Sequence, residues 1–414
     1  MSDSPGIETG HHAGPLGPPF PLSWITRLAD PFRHRLLPLD AARVRALAER
    51  VNGLSDYGGD GVLHRLDQTV ESLSEVEWNA LGHFGIRYIL NWHLGNRLRL
   101  VELLKQRPEL EAVPVERPLI ITGLFRTGTT FLHNVLATDP ANRVGRTWEL
   151  MHPVGRRRDL LHDENWRRWR GSHEVGMNHV MIPEQSEVHH VETDAYEEDF
   201  FLLENDMAVM ELALGLGDHG YAKRMLDWDM LEPYEWHKRQ LQILWTQRSA
   251  TRWLLKCPWH LWHLDALLSV YPDALIVQTH RDLPSTIGSQ CSLSARMASK
   301  FQRALDLDEL GRFWIEYSQA GVERGLRARE RFPDAQILDV RLADLEARPL
   351  ETVRGIYESF DLPFDEALET ALRARIEQAP TAQLGKHDYD IADYGLSQRS
   401  IEDAFAEYRE RFGL

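Results

Sequence analysis

Apolar positions recur at three- and four-residue steps through much of the first hundred residues. Leu47, Val51 and Leu54 share one helical face, while Trp78, Leu81, Phe84, Ile86, Ile89 and Leu90 share another that runs on towards Leu104. No strand pattern interrupts them, so residues 30–117 read as helical. The period changes at Pro118. Leu119-Ile120-Ile121 is a short apolar run closing on Gly123, and a helix-periodic stretch follows over 129–137. Residues 253–256 and 274–278 are further short apolar runs flanked by turn residues, the pattern of buried strands, and 336–340 is a fourth strand candidate. Helical stretches over 259–270, 284–300 and 308–330 lie between and after them. Strands alternating with helices imply βαβ units and a mostly parallel sheet. Residues 342–414 read as helical, apart from an irregular stretch around 380–397.

Composition narrows the function classes. The chain has 414 residues, with 47 Lys+Arg against 63 Asp+Glu and a net charge of −16. An acidic chain is a poor match for a nucleic-acid binder, which needs a basic stripe, and for a polybasic membrane-surface protein. Cys257 and Cys291 are too few for a disulfide framework or a multi-cysteine zinc site, which makes a reducing compartment the expectation. No run approaches 18 consecutive apolar residues, and the start lacks the basic and apolar regions of a signal peptide. The expected location is cytoplasmic. The Gly-, Pro- and Ser-rich residues 1–24 read as a disordered tail, in which His11-His12 is linker composition rather than a metal site.

The loop after the first strand carries the chemistry. Gly123-Leu124-Phe125-Arg126-Thr127-Gly128-Thr129-Thr130 has the G-x-x-x-x-G spacing of a P-loop between a strand and a helix, the context that motif requires. Such a loop aims backbone N–H groups and a helix N-terminus at a phosphate. A Walker A loop would continue Gly-Lys, but Thr129 stands at the lysine position. Positive charge comes instead from Arg126, whose planar guanidinium suits an anionic ester. Arg281 stands at the end of the 274–278 strand, where ligands of open α/β sheets gather, and Ser289 follows eight residues later on a helix. The expected fold is α/β: a P-loop-like three-layer fold with a mostly parallel central sheet and helical additions at both ends.

Taken together, these residues resemble a known family. Arg126-Thr127-Gly128-Thr129-Thr130 is similar to the 5′-phosphosulfate loop of sulfotransferases, and Arg281 with Ser289 to their 3′-phosphate motif. The resemblance, closest to the bacterial branch, covers about 115–345 and implies 3′-phosphoadenosine 5′-phosphosulfate (PAPS) as cofactor, with no metal. It divides the chain into the tail 1–24, a helical layer 25–116 and a sulfotransferase-like domain 117–414. The Gly-x-x-Gly-x-Trp-Lys segment of the cytosolic enzymes is absent. Gly385-Lys386-His387-Asp388-Tyr389 stands in its place, offering Lys386 or His387 as a third cofactor contact.

Sulfuryl transfer to a hydroxyl needs a base for the acceptor proton and cations for the leaving phosphate. By similarity, Lys256 of Lys256-Cys257-Pro258-Trp259-His260 assists the leaving group and His260 is a candidate base, although four residues separate them rather than the family's two. A second candidate lies in Tyr196-Glu197-Glu198-Asp199-Phe200-Phe201, where the aromatic flank places a carboxylate beside an apolar pocket; Glu198 is preferred to Glu197. Trp148, Trp166, Trp169, Trp259 and Trp262 are candidates for an apolar acceptor pocket or for core. The resulting expectation is a sulfotransferase acting on a hydroxyl or amine of a small-molecule or lipidic acceptor. The alternatives are a P-loop kinase and a non-catalytic nucleotide-binding protein of the same fold. The acceptor's identity and the oligomeric state stay open, with a homo-oligomer allowed.

Overall fold

β1 (Leu119–Gly123) opens on the apolar run Leu119-Ile120-Ile121 because both of its faces are covered; all five residues are buried, Thr122 with its hydroxyl on Pro258 O. In the computed structural model, which describes residues 17–156, 158–183, 191–378 and 389–414, it is the middle strand of a five-stranded sheet. β2 (Asn142–Val144), β3 (Arg252–Lys256), β4 (Leu275–His280) and β5 (Gln336–Arg341) complete the order β2-β3-β1-β4-β5. Every neighbouring pair is parallel.

The two-residue period of β1 divides the core. Leu119 and Ile121 point to one side, where Leu132 and Leu136 of helix Thr129–Leu136 and Val353 of helix Pro349–Ser359 cover them. Ile120, with Leu255 and Ile276 of the flanking strands, points to the other side. There the core is continuous with Ile86, Leu90 and Leu94 of the long helix Ala80–Gln106, and with Trp314 and Tyr317 of helix Leu307–Arg331. The result is a three-layer α/β arrangement whose N-terminal helices join one face of the sheet in a single core.

The expected strands over 253–256, 274–278 and 336–340 are present as β3, β4 and β5. β2 has no counterpart in the apolar pattern. Two of its three residues are polar, and they are buried because each finds partners: Asn142 Nδ2 donates to Leu136 O at 2.8 Å, and Arg143 pairs with Glu149 at 2.7 Å. The expected helix over 259–270 is a 3₁₀ segment, Pro258–His263, followed by helix Leu264–Val270. Helix Leu22–Ala29 begins inside the stretch read as tail. His11-His12 lies outside the described residues.

This topology fixes where a ligand can sit. From β1 the chain moves to β2 on one side of the sheet, and from β4 it moves to β5 on the other. Such a reversal opens a crevice between the carboxyl ends of the two strands.

Candidate active site

The loop between β1 and helix Thr129–Leu136 is held from below. Gly123 has φ +145°, and a Cβ there would lie 2.5 Å from Thr279 O of β4. Only glycine permits so close an approach. Thr127 is buried, and its hydroxyl bonds Leu124 O at 2.7 Å and Thr279 Oγ1 at 2.6 Å, so this side chain fastens the loop. Gly128, at φ +90°, is the N-cap, and no side chain caps the helix behind it. The N–H groups of that first turn are therefore free for an anion. Thr129 is buried, whereas Thr130 is exposed.

Arg126 sits in the left-handed region at φ +68°, a conformation that costs a non-glycine residue of order 1 kcal/mol and persists where its surroundings enforce it. Its Nε donates to Ser289 Oγ at 3.1 Å, and its carbonyl accepts from Arg281 Nη1 at 3.0 Å. Burial, then the neighbouring Arg281 charge, pulls the Arg126 guanidinium down from its usual range. Among the described residues no carboxylate forms an ion pair with Arg126. Two guanidiniums and a hydroxyl thus converge beside an uncapped helix start, an arrangement that fits a phosphate-rich ligand. Asp282 caps helix Leu283–Phe301 through Ser285 N, which sets the phase that turns Ser289 towards Arg126. The ring of Tyr389 packs over Gly288, and its hydroxyl donates to Ser285 O at 3.1 Å. Tyr389 belongs to the segment that stands in place of the cytosolic enzymes' Gly-x-x-Gly-x-Trp-Lys motif, and its spacing gives it no role; Lys386 and His387 lie outside the described residues.

At the end of β3 stands the second half of the site. Lys256 is buried, and its Nζ donates to Glu198 Oε1 at 2.5 Å and to Thr130 Oγ1 at 3.4 Å. Glu198 is brought there by its neighbour. Asp199 Oδ1 accepts the Lys256 backbone N–H at 2.9 Å, while Asp199 Oδ2 accepts from His260 Nε2 and His237 Nε2, each at 2.8 Å. Burial pushes the Asp199 carboxyl up, but the imidazoles, His260 foremost, outweigh it and hold the group well below the usual carboxylate range. Neither Asp199 nor His237 was singled out from sequence, because nothing in their spacing marks them.

Two contact groups result: Arg126 with Arg281 and Ser289, and Lys256 with Thr130 and Glu198, both reached from the loop over 123–130. His260 is not at the opening. It is fully buried, with Nδ1 against Tyr234 Oη at 2.8 Å and Nε2 on Asp199. Glu197 is buried as well, and it accepts the Glu198 N–H at 2.8 Å. Trp259 and Trp262 are core: their indole N–H groups donate to Tyr317 Oη and Tyr317 O, and Trp262 supports Phe125 of the loop with ring centres 5.3 Å apart. Both cysteines are free and buried, and burial pushes the thiols up, Cys291 to about 12.

A second polar cluster lies in the helical layer. His93, Glu204 and Glu211 bring three donor atoms within 4.8 Å of one another, with His93 Nε2 3.0 Å from Glu204 Oε2. Burial raises the Glu204 carboxyl well above its usual range and lowers the His93 imidazole, disfavouring the charged form of each.

Residues 118–366 match the profile of the sulfotransferase family. The chain belongs to that family. Two crystal structures of sulfotransferases superpose on most of it. These are STF1 from Mycobacterium tuberculosis H37Rv (30% identity, TM-score 0.77, covering 89% of this chain and 98% of that one) and STF9 from Mycobacterium avium (30% identity, TM-score 0.79, covering 90% and 97%). Among curated relatives, the omega-hydroxy-beta-dihydromenaquinone-9 sulfotransferases Stf3 of Mycobacterium bovis and Mycobacterium tuberculosis are 25% identical over 352 residues, 80% of this chain and 84% of theirs. The sulfotransferase match begins just before β1 and runs through β5, so it contains the loop, Glu198, Lys256, Arg281 and Ser289. Among the described residues no helix is long and apolar enough to cross a membrane.

Proposed function

We propose that this sulfotransferase transfers the sulfuryl group of PAPS in line, without a metal, to a hydroxyl or amine of a small-molecule or lipidic acceptor. The observation that carries the reading is the Lys256 bridge. One ammonium touches both Thr130, at the uncapped helix start, and Glu198, the carboxylate at the opening. The anion cradle and the base thus meet at a single cation.

Each residue then has a task. The first-turn N–H groups behind Gly128, with Arg126 and Thr130, hold the 5′-phosphosulfate; Thr127 and Thr129 keep the loop in shape. Arg281 and Ser289 hold the 3′-phosphate, and Tyr389 closes that end. The donor supplies the sulfuryl group and a phosphate leaving group. Glu198 accepts the acceptor's proton on its carboxylate, and Lys256 donates to the oxygen left behind on the phosphate. Glu198 is preferred to His260 as base because both His260 nitrogens are already engaged in the core. A lipidic hydroxylated acceptor is favoured by the aromatic flank of Glu198, where the tilted rings of Phe200 and Phe201 lie 4.1 Å apart and the Trp92 ring 6.0 Å from Phe201, and by the acceptor named for the mycobacterial relatives.

Calorimetric titration tests the donor half. Adenosine 3′,5′-bisphosphate in EDTA should bind more tightly than ATP–Mg²⁺, and Arg281→Ala should weaken it about 10- to 100-fold, the loss of a charged hydrogen bond. Preference for ATP–Mg²⁺ would favour a kinase instead. Glu198→Gln should lower turnover about 10²- to 10⁴-fold while leaving bisphosphate affinity nearly unchanged. Full activity in that variant would remove Glu198 as base.

A further inference from the structure

Helix Leu22–Ala29 is built inside out. Its buried residue is Thr26, whereas Trp24, Ile25 and Leu28, which share one face at three- and four-residue spacing, are 64%, 59% and 68% exposed. Exposed apolar residues continue beyond the helix: Phe20 precedes it, and Phe32 and Leu36 follow it, each more than half exposed. Soluble surfaces carry single exposed apolar residues routinely, but six large ones within seventeen positions form a patch that calls for a covering partner.

The segment is fastened so that these side chains stay outward. Asp30 accepts the backbone N–H of Ala80 at 2.9 Å and pairs with Arg303 at 3.4 Å. His83 Nδ1 lies 2.9 Å from Leu37 O, and Arg87 donates to Pro38 O at 2.9 Å. The polar contacts face the body and the apolar residues face away.

Charge points to one kind of partner. Residues 20–36 hold three arginines, Arg27, Arg33 and Arg35, against the single acid Asp30, on a chain of net charge −16. The local sign is therefore opposite to the global one. Tryptophan, phenylalanine and leucine on one face with arginines around them is the composition of a helix that lies in a bilayer interface and favours anionic headgroups. A second copy of the chain would bring like charges together. Residues 1–16 offer few large apolar side chains with which to cover the face themselves.

We propose that residues 20–36 form a docking surface for an anionic lipid bilayer, seating the protein peripherally with this face in the interface. The surface stands on its own geometry, independent of the acceptor assignment.

Sedimentation with extruded vesicles tests this directly, using the full chain. Vesicles of equal phosphatidylglycerol and phosphatidylcholine should carry the protein down, pure phosphatidylcholine should carry much less, and added salt should weaken the anionic case. The double variant Trp24→Glu/Leu28→Glu should lower the partition at least tenfold. Arg27→Gln/Arg35→Gln should lower it on anionic vesicles only, about fivefold for each arginine. All four residues face solvent, so thermal stability and bisphosphate affinity should match the parent, which confirms that the variants fold. Absence of partition, or partition unchanged by the glutamates, overturns the proposal. A dimer in light scattering that the glutamates split, without vesicle binding, assigns the face to a second copy instead.

Discussion

At the scale of single residues, Asp199 organises the site without facing it. Its two oxygens tie the end of β3 to two imidazoles, and the loop bearing Glu198 follows. In the proposed mechanism His260 is accordingly a positioning residue. His260→Ala should lower the unfolding free energy by about 2–4 kcal/mol, because it strips a buried carboxylate of one partner. Urea melts would read this as a lower midpoint. A variant as stable as the parent yet devoid of turnover would return the base to His260. Glu211 makes a separate prediction. Burial and the neighbouring Glu204 push its carboxyl up to about 8 from the ordinary 4.5. Between those values the folded state keeps a proton that the unfolded chain has released. Stability should therefore fall as pH rises through that window, by about 1.4 kcal/mol per pH unit from this group. Glu204, pushed well up by burial, adds to the slope. Glu211→Gln should flatten the dependence of the melting midpoint on pH from 5 to 8, and an unaltered slope would refute the assignment.

At the scale of elements, helix Leu283–Phe301 links the proposed donor site to the C-terminal segment. Gly288 is pinned: a Cβ there would lie 2.4 Å from a Tyr389 ring carbon and 2.7 Å from Ile391 Cγ2. Gly288→Ala should displace the Tyr389 segment, raising the dissociation constant for adenosine 3′,5′-bisphosphate roughly tenfold, about 1.4 kcal/mol. Unchanged affinity would remove Tyr389 from the donor end. The legible parts of this region were those with a local signature. Glycine at fixed spacing after an apolar run announced the loop, and an arginine at a strand end announced the second anchor. β1, β3 and β4 stood out by the apolar runs within them, over 119–121, 253–255 and 275–277. β2 was hidden because Asn142 and Arg143 are buried through specific partners that no pattern encodes. The same reason concealed Asp199 and His237, and it made His260 resemble an active-site group. The ring of Tyr234 and the carboxylate of Asp199, which engage it, come from distant segments.

At the scale of the whole molecule, the acidic surface and the basic site coexist because they operate over different ranges. Salt screens charges beyond about 8 Å under physiological conditions, so the −16 sets solubility while Arg126, Arg281 and Lys256 set the potential inside the crevice. The strand order carries a further implication, for synthesis rather than catalysis. β1 pairs with β3, Leu119 aligning with Leu254, and with β4, Leu119 aligning with Leu275. A chain emerging from the ribosome therefore displays its most apolar strand long before either neighbour exists. Both edges of β1 wait through more than a hundred residues, in which the only strand among the described residues, β2, is not its neighbour, the situation in which nascent sheets mispair or recruit chaperones. The central position that makes β1 a rigid seat for the loop also makes it the segment most exposed during birth.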